Sequence, residues 1–390
     1  MLRFVGIDVA RRTHLVAIVG ETMTVLVKPT PITEDSAGYE KLIALVGSPA
    51  DSLIVMEATG HYWRNLFVYL CARDFRCAVV NPLRIRRFAQ EDLRRAKTDR
   101  TDALTIARFG AQKHPEPTPS PDPVLDELRE LVRLHERLGQ DFGDRLRQLH
   151  RLLVLVFPEF PDVVRTLESQ RATALLRQYP SAEAFRRADE RDIARLRCDG
   201  RRRLGAAIAA SLVTAANTSV AQHHSAAYDL SVRAFCADID LLRQSLHDLE
   251  LEIQKSVGGH ALASLLTSID GLGTLTVARL LARLGDPARF RNAAALASYV
   301  GVVPATNQSG LHRPGRAPVS PLGNAELRAS LWMPTLTATK RNAWLRAYYE
   351  RLVARGKPRK LAMVAAMRKL LTAVYSVAKN RRPFVARLDA

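Results

Sequence analysis

The sequence has few cysteines and no long apolar run. These two features argue against a cysteine-ligated zinc site and against a membrane-spanning protein. Only four of the 390 residues are cysteine, with no Cys-x-x-Cys pair and no histidine cluster at zinc-ligand spacing. We therefore expect reduced thiols in a cytoplasmic protein. No apolar run reaches the ~20 residues that a membrane span requires. The N-terminus "MLRFVGIDVA" is charged too early for a signal peptide and is typical of a first strand.

Acidic residues are also scarce. The chain has 39 Asp and Glu against 58 Lys and Arg, and its net charge is +19. Residues 311–390 alone carry 17 basic and 3 acidic residues, a net charge of +14. Such a density of positive charge attracts nucleic acid by releasing its condensed counterions. An anionic membrane is the alternative partner, but this tail has no strongly amphipathic helix with an aromatic face. We therefore predict nucleic-acid contacts here, with Lys360 as one candidate.

Residues 1–113 show the alternation of an α/β domain. Three short strands are followed by a helix, and strands and helices then alternate in the order β-β-β-α-β-α-β-α. This order predicts a mixed sheet covered by helices. It is also the order of a ribonuclease H-like fold.

The segment "HPEPTPSPDP", residues 114–123, has proline at every second position from Pro115 to Pro123. Such a segment is extended and stiff, so it predicts a linker between domains. Beyond it, the pattern predicts a helical region at 124–260 and a basic, mostly helical domain at 261–390.

Two helices of the middle region carry apolar residues at alternating steps of three and four, the spacing of a coiled coil. The first set is Phe142, Leu146, Leu149, Leu153 and Val156, and the second is Tyr228, Val232, Phe235, Ile239, Leu242, Leu246, Leu249 and Ile253. The two helices could pack against each other within one chain, or at least one could pair between subunits. Residues 166–220 are predicted to be helical and carry no chemical motif.

Four acids stand out in the first domain. Asp8 lies within the first strand and Glu57 ends the strand "LIVMEATG", where an isolated carboxylate is costly to bury without a positive partner. Asp99 and Asp102, in "RRAKTDRTDAL", are three residues apart and share one helix face. The two aspartates alone could be surface acids paired with arginines. The four together predict a strongly negative site for Mg²⁺, and a pair of ions ~4 Å apart would suit phosphoryl transfer.

The basic domain at 261–390 contains two further candidates. "SIDGLGTLTVARLLARLGD" resembles a helix-hairpin-helix, in which Gly271 and Gly273 would bring backbone N–H groups to a phosphate, although a plain helical turn is the alternative. "ATNQSGLHRPGR" presents Ser309, with Arg313 and Arg316 close behind. No His–Asp pair lies nearby for a hydrolase triad. Ser309 could be a turn residue, or it could attack phosphorus and conserve the energy of the broken bond.

Together these segments resemble the DEDD transposases of bacterial insertion sequences, the IS110 group. "GIDVA", "MEATGHYW" and "AKTDRTDA" match the family's RuvC-like motifs, and "YVGVVPATNQSG" and "ARGKPRKLAMVAAMRKLL" match its C-terminal domain. The resemblance implies that Asp8, Glu57, Asp99 and Asp102 bind metal. It also implies that Ser309 is a nucleophile offered across subunits of a dimer or tetramer. It further implies a bridge RNA that selects target and donor DNA, in an enzyme associated with the nucleoid.

Three functions compete on these grounds. The first is an Mg²⁺-dependent, RNA-guided recombinase that excises and inserts its element through a phosphoserine. The second is a structure-selective nuclease in which water attacks and Ser309 is a turn residue. The third is a nucleic-acid-binding protein without catalysis, which gains nothing from acids embedded in strands.

Overall fold

The computed structural model describes residues 2–91, 99–120, 122–198, 203–303 and 323–386, without the side chains of residues 91 and 99–101. The chain divides into two compact units, Met1–Asp122 and Pro123–Ala390. We call them the sheet unit and the helical unit.

The sheet unit contains the predicted mixed sheet. Its elements are β1 (Arg3–Asp8), β2 (Thr13–Gly20), β3 (Val25–Thr33), α1 (Ser36–Val46), a 3-10 turn (Pro49–Asp51), β4 (Ser52–Glu57), α2 (Trp63–Cys71), β5 (Arg76–Val80), α3 (Pro82–Glu91) and α4 (Asp99–Lys113). The strand order is β3-β2-β1-β4-β5. β1 pairs antiparallel with β2 and parallel with β4, and β4 pairs parallel with β5. The element order predicted from the sequence is confirmed.

Two apolar layers enclose the sheet. Side chains alternate across a strand, so Val5 and Ile7 of β1 face one layer and Phe4 faces the other. The first layer is closed by α1 and α2, and the second by α3 and α4. This alternation assigns every residue of β1 to one of the two faces. Asp8, at the end of the strand, lies on the same face as Phe4.

The proline-rich segment covers an edge of the sheet. Thr118 donates its backbone N–H to Cys77 O at 2.7 Å, and its Oγ1 accepts from Val79 N at 2.9 Å. Both partners lie on β5, the last strand of the sheet. Unpaired edge strands invite pairing with other chains, and prolines discourage the growth of a further strand. The segment predicted as a spacer therefore also protects β5.

The helical unit contains fourteen α-helices within its described residues. They are α5 (Pro123–Val156), α6 (Phe160–Val163), α7 (Gln170–Gln178), α8 (Ala182–Arg187), α9 (Glu190–Arg195), α10 (Ala206–Asn217), α11 (Ala226–Gly258), α12 (Ala261–Leu266), α13 (Thr274–Leu284), α14 (Ala293–Val300), α15 (Ala325–Ser330), α16 (Trp332–Arg341), α17 (Ala343–Ala354) and α18 (Arg359–Asn380). A 3-10 turn, Pro287–Arg289, lies between α13 and α14. Helices were predicted here, and α7 to α10 occupy most of the stretch 166–220.

The long helices α5 and α11 pack antiparallel. His135 Nε2 lies 3.2 Å from Glu250 Oε1, and Arg145 Nε lies 2.9 Å from Asp238 Oδ2. Leu149 and Leu153 of α5 share one apolar core with residues of α11. Of the two arrangements left open by the heptad spacing, packing within one chain is therefore present, and pairing between subunits stays a prediction.

One helix in the described part of the chain, α18, is long and apolar enough to cross a membrane by length and composition. More than half of its apolar window is buried, and Leu370, Leu371 and Val374 are fully buried in the core of the helical unit. Burial of this kind is typical of a core helix.

Candidate catalytic carboxylates and basic surfaces

Asp8 and Glu57 end neighbouring parallel strands. The register of β1 and β4 runs from Arg3 opposite Ser52 to Ile7 opposite Met56, and its next step sets Asp8 beside Glu57. Asp8 is thus the last residue of β1, whereas the sequence pattern placed it within the strand. Adjacent strands lie ~4.8 Å apart, and paired residues of parallel strands point to the same face. Both side chains are half-buried.

α4 crosses the face of the sheet on which Asp8 and Glu57 lie. A Cβ added to Gly6 would meet Ala107 N at 2.2 Å and Ala103 O at 2.3 Å, and one added to Gly110 would meet Val55 at 2.9 Å. Only glycine at position 6 lets the helix backbone approach β1 so closely.

The direction of α4 follows from the same contacts. Phe4 lies near Gly110, and Gly6 lies near Ala103, so α4 runs opposite to β1. The first turn of α4 therefore lies toward the Asp8 end of the strand. Asp102, in this turn, is half-buried, and Asp99 is the first residue of the helix.

The donor set fits a hard divalent cation in chemistry, because all four predicted ligands are carboxylates. Among the side chains that the structure describes, no three His, Cys, Asp or Glu residues are arranged as a metal site. The Asp99 side chain lies outside that description, so of the predicted tetrad only the side chains of Asp8, Glu57 and Asp102 are described.

Glu57 is held by its own turn. Thr59 Oγ1 donates to Glu57 Oε1 at 2.9 Å, and Thr59 N donates to Glu57 O at 2.8 Å. Ala58 N donates to Val80 O at 2.9 Å and continues the pairing with β5. The "MEATG" segment thus orients the carboxylate, a role for Thr59 that the sequence pattern did not indicate.

A buried histidine fixes the turn that follows Asp8. His14, on β2, is fully buried, and its Nδ1 accepts a hydrogen bond from Ala10 N at 3.2 Å. Its Nε2 must therefore carry the proton of the neutral ring, and it donates to Glu34. Burial, together with the hydrogen bond that its hydroxyl donates to Glu34, raises the pKa of Tyr39 and keeps that hydroxyl protonated. The sequence signal was a polar residue inside the apolar strand "THLVAIVG".

Ser309, Arg313 and Arg316 lie outside the described residues. The segments that precede and follow 304–322 are hydrogen-bonded to each other. Asn324 N donates to Tyr299 O at 2.9 Å, and Arg328 Nη1 donates to Gly301 O at 3.3 Å. Gly323 has φ +114°, and a Cβ there would lie 2.6 Å from Gly301 Cα. Glycine at 323 is required both by this backbone conformation and by this approach.

The glycines of the predicted hairpin have different environments. Gly271 has φ +102° and packs against α16, where an added Cβ would meet Ala338 at 2.5 Å. Gly273 is the exposed N-cap of α13 and has open space around it. Lys360 is exposed in the first turn of α18. Gly273 and Lys360 are therefore accessible to a phosphate, whereas Gly271 shapes the turn.

Comparisons with known proteins match nearly the whole chain. A family model described as a transposase matches residues 5–158, and a model described as the IS116/IS110/IS902 transposase family matches residues 263–350. The chain is 26% identical to the pilin gene-inverting protein of Moraxella bovis, over 99% of this chain and 98% of that protein.

Two proteins of insertion elements are similar over the same extent. The chain is 27% identical to the 43.6 kDa protein of insertion element IS110 from Streptomyces coelicolor, over 99% of this chain and 96% of that protein. It is 24% identical to the 42 kDa protein of insertion element IS900 from Mycobacterium paratuberculosis, over 96% and 95%.

Proposed function

Because this chain belongs to the IS110 family of transposases, we propose that it excises and inserts its own element by serine-dependent DNA strand exchange. Family membership supports a DNA-processing enzyme. The observation that best supports catalysis is the register of β1 and β4, whose paired residues Ile7 and Met56 directly precede Asp8 and Glu57, since a protein that only binds DNA gains nothing from two half-buried carboxylates at adjacent strand ends.

In the proposed mechanism, Ser309 Oγ attacks a scissile phosphate. The Oγ–P bond forms, the bond from phosphorus to the leaving deoxyribose oxygen breaks, and that oxygen takes up a proton. A DNA hydroxyl then attacks the phosphoserine, the new strand is joined, and Ser309 is regenerated. Mg²⁺, held by Asp8, Glu57, Asp99 and Asp102, would stabilise the negative charge on the entering and leaving oxygens.

A covalent intermediate also suits the reaction after which one relative is named. The Moraxella bovis protein is named for inverting a gene. An inversion rejoins every strand that it cuts, and a phosphoserine keeps the energy of the broken bond for that step. Hydrolysis by water would lose this energy.

The proposal includes two partners besides DNA. A bridge RNA would select target and donor sites, and the net charge of +19 supports binding of both nucleic acids. A dimer or tetramer is supported by an exposed line of leucines on α11, namely Leu230, Leu241 and Leu251, which are spaced by about three helical turns. Sedimentation equilibrium of the full chain measures the oligomer directly.

The decisive experiment traps the intermediate. Full-length protein, element RNA and end-labelled DNA should give a covalent protein–DNA band with Mg²⁺, and chelation should remove it. Ser309→Ala should abolish the band, whereas Ser320→Ala, a control in the same segment, should keep it. Normal joining by Ser309→Ala would refute the serine mechanism, and hydrolysed ends without a band would favour the nuclease.

The acids are tested in the same assay. Asp8→Asn and Glu57→Gln keep the side-chain shape but remove charge, and we expect a loss of activity of about a thousandfold or more. Glu40→Gln, an exposed acid on α1, is the control. Wild-type recombination by Asp8→Asn would refute a catalytic role for this carboxylate, whereas nucleic-acid binding by the wild type with neither cleavage nor joining would support the binding protein without catalysis.

A further inference from the structure

Five arginines line one cavity of the helical unit. Arg129, Arg133 and Arg137 follow each other at four-residue steps on α5, and Arg279 and Arg283 have the same spacing on α13. The cavity has a volume of about 930 Å³. We call it the arginine cleft. Its other charged lining residues are Glu136 and Glu326, so arginines outnumber acids along the lining.

The floor of the cleft is formed by the less exposed arginines. Arg283 and Arg279 have exposed side-chain fractions of 19% and 26%, and both face the carboxylate of Glu136. Arg283 also donates to Glu326 Oε2 at 2.6 Å. Burial alone would lower the pKa of Arg283, but its hydrogen bonds to Glu326 and Glu136 raise it, so its charge is secure.

Hydrogen-bond donors in this floor exceed the acceptors. The Nε atoms of Arg279 and Arg283 are buried and have no hydrogen-bond partner among the described residues. Arg279 Nε lies 3.6 Å from Glu136 Oε1, an ion pair too long for a hydrogen bond. Buried donors without acceptors are costly. An anion that brings several oxygen atoms into the cleft would satisfy them once the two guanidinium groups turn toward it.

The arginines in the wall of the cleft are exposed, and their ion pairs are weak. Arg133 and Arg137 have exposed fractions of 68% and 69%, and each pairs with an acid of its own helix, Glu130 or Asp141. Exposed pairs of this kind contribute little and exchange readily for another anion. Four residues advance ~6 Å along a helix, so the wall presents a line of charges rather than one point.

We propose that the arginine cleft holds a stretch of nucleic-acid phosphodiester backbone. A line of exposed arginines above a floor with unused donors suits a chain of phosphates better than a single ion, because guanidinium groups bind phosphate oxygens in pairs. Contacts of this class position nucleic acid without selecting its sequence. DNA and RNA share this backbone, so the experiment uses both. The inference rests on the proposed function only in assuming a nucleic-acid partner.

The test measures the salt dependence of binding by the full-length chain. Fluorescent duplex DNA and single-stranded RNA of arbitrary sequence are titrated at several salt concentrations. Arg133→Ala/Arg137→Ala should weaken binding about tenfold for the nucleic acid that occupies the cleft. It should also reduce the slope of log K against log salt by about 1.8 for duplex DNA or 1.4 for a single strand.

A matched control lies on the same helix. Arg147→Ala/Arg151→Ala removes two exposed arginines of α5 outside the cleft, and Arg147 pairs with Asp144 three residues earlier, as Arg133 does with Glu130. It should leave the slope within error of wild type. Arg133→Lys/Arg137→Lys should retain the wild-type slope. Glu326→Gln, which frees Arg283, should strengthen binding.

The outcomes separate the two proposals. Equal affinities and slopes for the cleft and control variants with both probes would overturn the cleft while leaving strand exchange intact. If wild-type protein bound neither probe in a salt-dependent way, the proposed function itself would fail. Weaker binding of RNA alone, or of DNA alone, would support the cleft and identify its occupant.

Discussion

In the sheet unit, backbone contacts position the candidate catalytic carboxylates. In the helical unit, the candidate nucleic-acid contacts are arginine side chains on the surface of helices. Asp8 and Glu57 are set by strand register, and α4 is set by its approach to Gly6. Arg133 and Arg137 sit on a helix face in exposed ion pairs. A change in the first region should therefore disturb its surroundings, and a change in the second should have a small, local effect.

The largest expected effect on stability tests the backbone contact. Gly6→Ala would place a Cβ 2.2 Å from Ala107 N, and α4 would have to move. We expect a loss of about 3 kcal/mol in the free energy of unfolding, measured by urea denaturation. In Gly139→Ala the new Cβ meets nothing within 4 Å, and this exposed position on α5 should gain about 0.8 kcal/mol. Equal effects would break the comparison between the two units.

A smaller effect is expected at His14, whose two hydrogen bonds can be separated. The amide of His14→Asn can still accept from Ala10, and that of His14→Gln can still donate to Glu34. Each variant should lose about 2 kcal/mol, because one buried partner is left unsatisfied.

Hydrogen exchange distinguishes the two His14 variants. The amide of Ala10 should exchange faster in His14→Gln and remain protected in His14→Asn. Unchanged exchange in both would show that His14 does not hold the turn after Asp8.

The smallest effect belongs to the helical unit and depends on pH. Glu159 accepts hydrogen bonds from Ser219 Oγ at 2.5 Å and Val220 N at 3.1 Å. Desolvation opposes ionisation, but these bonds lower the pKa of Glu159 overall. A carboxyl whose pKa is lowered by folding stabilises the fold above its unfolded pKa, and this stability is lost as the pH falls through the folded pKa.

Glu159→Gln should therefore lose about 1 kcal/mol near neutral pH and show a flatter decline in acid than wild type. Thermal melts from neutral to acidic pH measure both. Glu168→Gln, an exposed glutamate in the same unit, should match wild type throughout. If Glu159→Gln and wild type lost stability in parallel as the pH falls, other groups would account for the pH-dependent stability.

Sequence periodicity predicted most of the secondary structure because it reports local geometry. Short apolar runs bounded by polar or turn residues placed β1, β2 and β4, and spacing by three and four placed α5 and α11. The end of β1 was misjudged at Asp8, since the next residues turn toward His14. Asp8 and Glu57 were recognisable as unusual from the sequence, whereas the roles of Thr59 and His14 were not, because they depend on side-chain hydrogen bonds that the residue pattern does not specify.

The sequence by itself determined the types of element and the excess of positive charge, and it singled out four carboxylates as candidate metal ligands. Tertiary structure alone decided that Thr118 covers β5, that α5 packs on α11 within the chain, and that arginines of α5 and α13 line one cleft. Arg283 and Glu136 are 147 positions apart, and no periodicity relates them. Local patterns show which face of an element is apolar, but only the folded chain selects which faces meet.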